Sequence, residues 1–192
     1  MAEYHFLQKF VEEKSPTPSY VFDLDILSGH VEKIKQLLKG KARVCYAMKA
    51  NPFLTRPMLD HVDLFEVCSP GEFRICERVG VPMEKIVLSG VYKNPADISY
   101  VLKSYGGKGV YTVESWEHLR HLNQNAEALG MKIHVLIRMT SGNQFGMDEE
   151  DIRKIISRRE EYKGLHILGL QFYSGTQKKN LSQMEKELQT LD

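Results

Sequence analysis

No apolar run in this 192-residue sequence approaches the roughly 18 residues that a membrane-crossing helix requires. The opening stretch, MAEYHFLQKFVEEKSPTP, carries acidic residues early and has no long apolar centre, so it does not read as a signal peptide. Cysteine is scarce: Cys45, Cys68 and Cys76 are the whole complement, in apolar surroundings and without CxxC spacing. An odd number so placed argues against a disulfide framework and for reduced thiols in the cytoplasm. No His/Cys cluster has the spacing of zinc ligands, so no metal is expected. A charge excess is missing too. The 26 basic and 25 acidic residues leave a net charge of +1, which gives no reason to expect nucleic acid or an anionic membrane as partner. Nor does a G-x-G-x-x-G turn follow any strand-like run, as a dinucleotide-binding sheet would want.

What is present is an ordinary globular composition, 42% hydrophobic and 27% charged, on a chain long enough for one sizeable core. Short apolar runs alternate with longer amphipathic ones. After an extended piece at 20–23, strand-like runs fall at 43–48, 63–67, 85–89, 109–113, 132–139 and 165–173. Helical patterns separate them: 26–39, which Gly40 should end, then 71–79, 95–104, 115–129, 149–159 and 181–191. Ser115 and Asp148 are good N-caps. Such βα repetition predicts parallel strands joined by right-handed crossovers.

Two α/β folds satisfy that pattern: a doubly wound open sheet, or a (β/α)8 TIM-type barrel. Periodicity does not separate them. Polar residues at the C-terminal ends of several different strands favour the barrel, because barrels place their sites there. A full barrel takes roughly 250 residues, and about six βα units are countable here. Six strands cannot close an eight-stranded barrel, and the open sheet would expose its edges. The expectation is an incomplete barrel: residues 1–192 as the truncated N-terminal domain of a longer protein.

Candidate chemistry begins at VCYAMKANP. Strand alternation puts Cys45, Ala47 and Lys49 on one face and Val44, Tyr46 and Met48 on the other. The large residues suit the side packed on helices. The small ones share a face with a lysine amine, which can form a Schiff base with an aldehyde and would leave room for a flat ring. A solvated strand-end lysine satisfies the same spacing. Glu66 shares a face with Leu64 and points into the barrel if Phe65 and Val67 face the helices; a solvated carboxylate is the alternative. Ser69, Pro70 and Glu72 fit a capping box at a helix start. Arg138 shares a face with Leu136, opposite Val135 and Ile137, so it should point inward, where an unpaired charge is costly. Glu66 and Glu72 are its expected partners. In the last strand, Leu168, Leu170 and Phe172 should face one way and Gly169, Gln171 and Tyr173 the other. Ser174-Gly175-Thr176-Gln177 then offers hydroxyls and amides just past the strand, a turn that suits a phosphate.

YAMKANP resembles the YAxKAN segment of the ornithine and diaminopimelate decarboxylases and of alanine-racemase-like enzymes, which use pyridoxal 5'-phosphate (PLP). TPSYVFDLDIL resembles that family's opening. FEVCSPGEF, IVLSGVYKNPADI, VLIRMTSGNQFGM and LGLQFYSGTQ follow in the family's order, so the similarity spans nearly the whole chain. It implies that Lys49 carries the cofactor as a Schiff base, that Glu66, Arg138 and Tyr173 lie near it, and that Thr176 is a phosphate ligand. Glu72 and Ser174 are further candidates. Two departures stand out. The decarboxylases usually carry a ring-stacking histidine where Tyr173 stands; tyrosine can stack but supplies no imidazolium charge. The family's Lys-Phe-Gly is Gln144-Phe145-Gly146 here, so that lysine's charge is lost.

The resemblance implies decarboxylation of an amino-acid-type carboxylate, with an amino-acid racemase or a non-catalytic PLP-binding homeostasis protein as alternatives. The family's glycine-rich phosphate loop, its glutamate on the pyridine nitrogen, and its C-terminal β-domain, which completes each site across a homodimer interface, would all lie outside these residues. The 192 residues alone should therefore be poorly active. The departures suggest a substrate bulkier than ornithine, lysine or diaminopimelate.

Overall fold

The structure, a computed structural model, describes residues 5–14, 16–90, 93–142, 144–176 and 180–191. Six strands form one sheet: β1 Cys45–Ala47, β2 Leu64–Val67, β3 Ile86–Leu88, β4 Val110–Val113, β5 Ile133–Met139 and β6 Leu165–Phe172. Eight helices accompany them: α1 His5–Glu12, α2 Leu24–Leu38, α3 Thr55–Met58, α4 Pro70–Val79, α5 Pro95–Tyr105, α6 Trp116–Ala128, α7 Glu149–Ser157 and α8 Leu181–Leu191. Every expected strand and helix is present within a few residues of its expected bounds. The short helices α1 and α3 have no counterpart among the expected elements. Neither α1, of 8 residues, nor α3, of 4, is long enough to show a sustained 3.6-residue period. Among the described residues no helix is long and apolar enough to cross a membrane.

Short polar side chains start the helices. Asp23, Ser69, Asn94, Ser115 and Asp148 each accept a hydrogen bond from the backbone amide three residues on, which satisfies donors that a helix leaves unpaired at its first turn. At the other end α2 stops on Lys39, itself in the left-handed region at φ 49°, with Gly40 following at φ 73°.

The strand order settles the choice between the two folds. The strands lie in sequence order, β1-β2-β3-β4-β5-β6, and every neighbouring pair is parallel. A doubly wound sheet reverses its order at a switch point, and none occurs here. The sheet also curls. Laid flat, β1 and β6 would stand about 24 Å apart, five spacings of about 4.8 Å. Yet the Lys49 ammonium, just past β1, lies 5.6 Å from the centroid of the Tyr173 ring, just past β6. Only a sheet bent towards closure brings those two ends together. The architecture is six units of a (β/α)8-type barrel.

Register decides which side chains face the helices. Rows such as Val67–Leu88–Tyr111–Val135–Ile167 and Val113–Ile137 pack outward, and Phe65, Val67, Tyr111, Val113, Val135 and Ile137 are almost wholly buried there. The alternate rows face inward and contain Ala47 with Glu66, Thr112 with Leu136, and Arg138 with Gln171. The sixth strand departs from simple alternation. A bulge shifts the register so that Ile167 pairs with Val135 but Gly169 with Leu136. Leu168 is the extra residue, not a member of the helix-facing row with Leu170 and Phe172. The bulge lets Ile167 and Leu170 both face outward although their spacing is odd.

Candidate active site at the barrel mouth

A turn, rather than the strand, delivers Lys49. The inner-face placement of Cys45 and Ala47 stands, but β1 ends at Ala47, and Lys49 occupies a 3-10 turn, Met48–Ala50. Tyr46 holds that turn: its hydroxyl donates to the Asn51 carbonyl oxygen at 2.7 Å. The Asn51 side chain in turn accepts from the Phe53 amide at 3.2 Å and caps the next turn, Pro52–Leu54. Met48 is fully buried against the Cys76 thiol, 3.3 Å away. Tyr46 and Asn51 of the YAMKANP run therefore have a local task, to present Lys49. Tyr46→Phe keeps the edge-on packing against Phe65, whose ring centroid is 6.1 Å away, and removes only the hydroxyl. It is expected to cost about 1 kcal/mol in thermal or urea unfolding.

Three groups surround the Lys49 amine. Glu66 Oε2 and Cys68 Sγ each lie 3.8 Å from Nζ, and the Tyr173 ring faces it. Partial burial pulls the ammonium down, but Cys68, Glu66, Tyr173 and Glu72 outweigh it and hold Lys49 above its ordinary value. Burial and the neighbouring Glu66 push the Cys68 thiol up, so near neutral pH it is a neutral neighbour. Glu66 is then the anion that matters to Lys49. Glu72 serves the helix start in a way the capping box does not describe. Ser69 Oγ accepts from the Glu72 amide at 3.2 Å, but Glu72 Oε2 accepts from the Cys68 amide at 2.7 Å rather than from that of Ser69. The carboxylate thereby reaches one residue further upstream, towards the mouth.

Arg138 points inward as expected, but its partner is neither Glu66 nor Glu72. Its Nη1 donates to Glu114 Oε2 at 2.7 Å. Lys93 Nζ lies 3.5 Å from Glu114 Oε1 and donates to Thr112 Oγ1 at 3.1 Å and to the Gly90 carbonyl. Thr112 Oγ1 also donates to Glu114 Oε1 at 3.0 Å. The Glu114 side chain is 1% exposed and that of Lys93 6%. Burial lowers the Lys93 amine to about 8 despite Glu114. Burial alone would raise the Glu114 carboxyl, but Lys93 and Arg138 overcome it and hold the group below its ordinary value. Glu114 was not among the expected site residues; only its face could have been read from the sequence. Alternation from Val110 and Thr112 puts residue 114 on the inner face, and the β4–β5 register sets it beside Arg138. Lys93 comes from a loop with no period to read.

The last strand contributes Gln171 and Tyr173. Gln171 lies in register with Arg138, and its Oε1 is buried with no hydrogen-bond partner among the described residues. Ser174 Oγ donates to Glu187 Oε2 of α8 at 2.8 Å, which ties the strand end to that helix. Thr176 is exposed, and Gln177 lies outside the described residues. The structure thus gathers Lys49, Glu66 and Tyr173 in one cluster, with Glu72 behind Cys68 and Arg138 in its own ion network. A lysine amine beside small residues, a ring facing it and a guanidinium held at the inner face together fit a flat, anionic aldehyde, and the unpartnered amide oxygen of Gln171 fits a hydrogen-bond donor on such a group or its substrate.

The chain is similar to known proteins over most of its length. The chain matches the family described as pyridoxal-dependent decarboxylase, pyridoxal binding domain, over residues 24–192. Among curated relatives, the diaminopimelate decarboxylase of Zymomonas mobilis is 29% identical over 191 residues, covering 88% of this chain and 45% of that protein. The 2-[(L-alanin-3-ylcarbamoyl)methyl]-2-hydroxybutanedioate decarboxylase of Staphylococcus aureus is 27% identical over 187 residues, with the same coverage of 88% and 45%. The chain thus spans about half the length of these relatives. Among solved structures, AQ1208 from Aquifex aeolicus superimposes with a TM-score of 0.78 at 25% identity, over 95% of this chain and 48% of that one. The lysine/ornithine decarboxylase of Vibrio vulnificus gives 0.81 at 24% identity, over 99% and 50%, and speaks for the fold alone. With the family matched from α2 to the last residue, the chain belongs to the pyridoxal-dependent decarboxylases, whose cofactor is pyridoxal 5'-phosphate, and carries their pyridoxal binding domain.

Proposed function

We propose that this chain is the cofactor-holding part of a PLP-dependent amino-acid decarboxylase, with Lys49 as the residue that joins the cofactor aldehyde. The placement of the Lys49 amine, 3.8 Å from Glu66 and facing the Tyr173 ring across the curled sheet, carries this reading. When bound, PLP supplies an electron sink for the carbanion that loss of CO2 leaves behind. The protein's own groups do the rest. Glu66 holds the proton on Lys49 Nζ and sets how readily the amine becomes nucleophilic. Tyr173 offers a face on which a flat ring can lie. Arg138 supplies fixed positive charge at the inner end of the site, and the exposed Thr176, past β6, is the proposed phosphate ligand.

On this reading a C-terminal β-domain and a second subunit complete the site in the intact enzyme, a homodimer. We further propose a substrate bulkier than the simple diamino acids. Tyr173 in the histidine position supports this, as does the large carboxylate named for the Staphylococcus aureus relative. The test is CO2 release by the intact enzyme from a panel that spans ornithine, lysine, diaminopimelate and larger amino carboxylates. Release from the larger members is the expected result. Release confined to the simple diamino acids would sink the bulky-substrate reading, and release from none would sink decarboxylation.

A further inference from the structure

The Lys93–Glu114–Arg138 network is more elaborate than stability requires. Buried ion pairs contribute little net stability, because desolvation consumes most of their attraction. Apolar residues of the same volume would serve the fold as well. The network also sits on the inner face at the C-terminal strand ends, where a barrel places its site, not in the layer beneath the helices. Each part of it restrains the next. Thr112 and Lys93 hold Glu114 Oε1, which leaves Oε2 for the Arg138 guanidinium at 2.7 Å. The Phe145 ring stands on another side, its centroid 5.3 Å from the guanidinium carbon. A guanidinium gripped by a carboxylate and a ring has lost its freedom before any ligand arrives, so binding need not order it.

We propose that Glu114 is a positioning residue for the site: held by Lys93 and Thr112, it fixes the Arg138 guanidinium in the one orientation that the bound cofactor uses. The inference rests on the cofactor reading above. Glu114 touches neither substrate nor cofactor and acts through Arg138 alone.

The distinguishing measurement is PLP affinity, followed by the visible absorbance of the bound cofactor, in a double-mutant cycle. Glu114→Asp keeps the charge but withdraws the carboxylate by one methylene. Lys93→Met removes the brace and leaves Glu114 paired with Arg138. Each is expected to weaken PLP binding about tenfold, with a melting temperature close to that of the wild type. In an Arg138→Ala background neither should weaken it by more than about twofold, since the path runs through the missing guanidinium. A loss that persists at full size in that background overturns the proposal, as does wild-type affinity in both single variants. Should Glu114→Asp fail to fold, Lys93→Met carries the same comparison. A wild-type protein that develops no visible band overturns the cofactor reading, and this inference with it; a wild-type band with unaltered variants overturns this inference alone.

Discussion

Lys49→Ala is expected to abolish the visible absorbance band that the wild-type protein develops when PLP is added. The amine is the atom that joins the aldehyde, and alanine offers nothing in its place. Among the described residues the other inward amine is Lys93, whose side chain is 6% exposed and committed to Glu114, Thr112 and the Gly90 carbonyl. It is in no position to substitute. The fold should survive the change, because the Lys49 side chain is 51% exposed and the buried anchor of its turn is Met48. The wild-type band should also develop faster as pH rises. Glu66 helps hold Lys49 above the ordinary lysine value, so little neutral amine exists at pH 7, and below that value each unit rise in pH raises the neutral fraction about tenfold. Absorbance spectra of both proteins across a pH series provide the check. A band of wild-type intensity in Lys49→Ala would refute the assignment.

Glu114→Ala is expected to be the most destabilising substitution at the site, costing about 3–5 kcal/mol in urea unfolding. Removing this carboxylate leaves two buried cations, Lys93 and Arg138, with no anion between them. Lys93→Met should cost much less, because Glu114 and Arg138 remain as a neutral pair. The pH dependence separates the two residues further. Burial drops the Lys93 amine from 10.5 to about 8 in the folded protein. Below pH 8 the amine is charged in both states, and the folded state bears the full desolvation cost. Between about pH 8 and 10 the unfolded chain binds more protons at this residue, so its contribution to stability rises with pH. The wild type should gain on Lys93→Met across that window, and parallel curves for the two proteins would rule the linkage out.

The readings that held and those that did not divide along physical lines. Arg138 was placed inward by strand alternation, because a two-residue period ties each side chain's face to its neighbours', and Glu66 only on the condition, met in the structure, that Phe65 and Val67 face the helices. The identity of Arg138's partner was not accessible that way. Glu66 and Glu72 were the acids in view, whereas the β4–β5 register brings Glu114 alongside instead. Lys49 was assigned to the right face for an incomplete reason. The strand stops at Ala47, and a hydrogen bond from Tyr46 to the Asn51 carbonyl turns the lysine into the mouth. Leu168 was misassigned because a bulge inserts one residue into the alternation, and periodicity carries no sign of it.

By itself, the sequence determined the order and kind of the main elements, the inward faces of the strands, and the run of motifs that marks the family. These are local properties: apolar period, capping side chains and residue identity are all written along the chain. The tertiary structure decided how far the sheet bends, and hence that Lys49 and Tyr173, separated by the width of six strands, face one another. It also decided that a strand-end glutamate, Glu114, grips Arg138 while a loop lysine, Lys93, braces Glu114. Such pairings depend on strand register and on closure of the sheet, which the packing of all the units together sets and which no window of neighbouring residues contains.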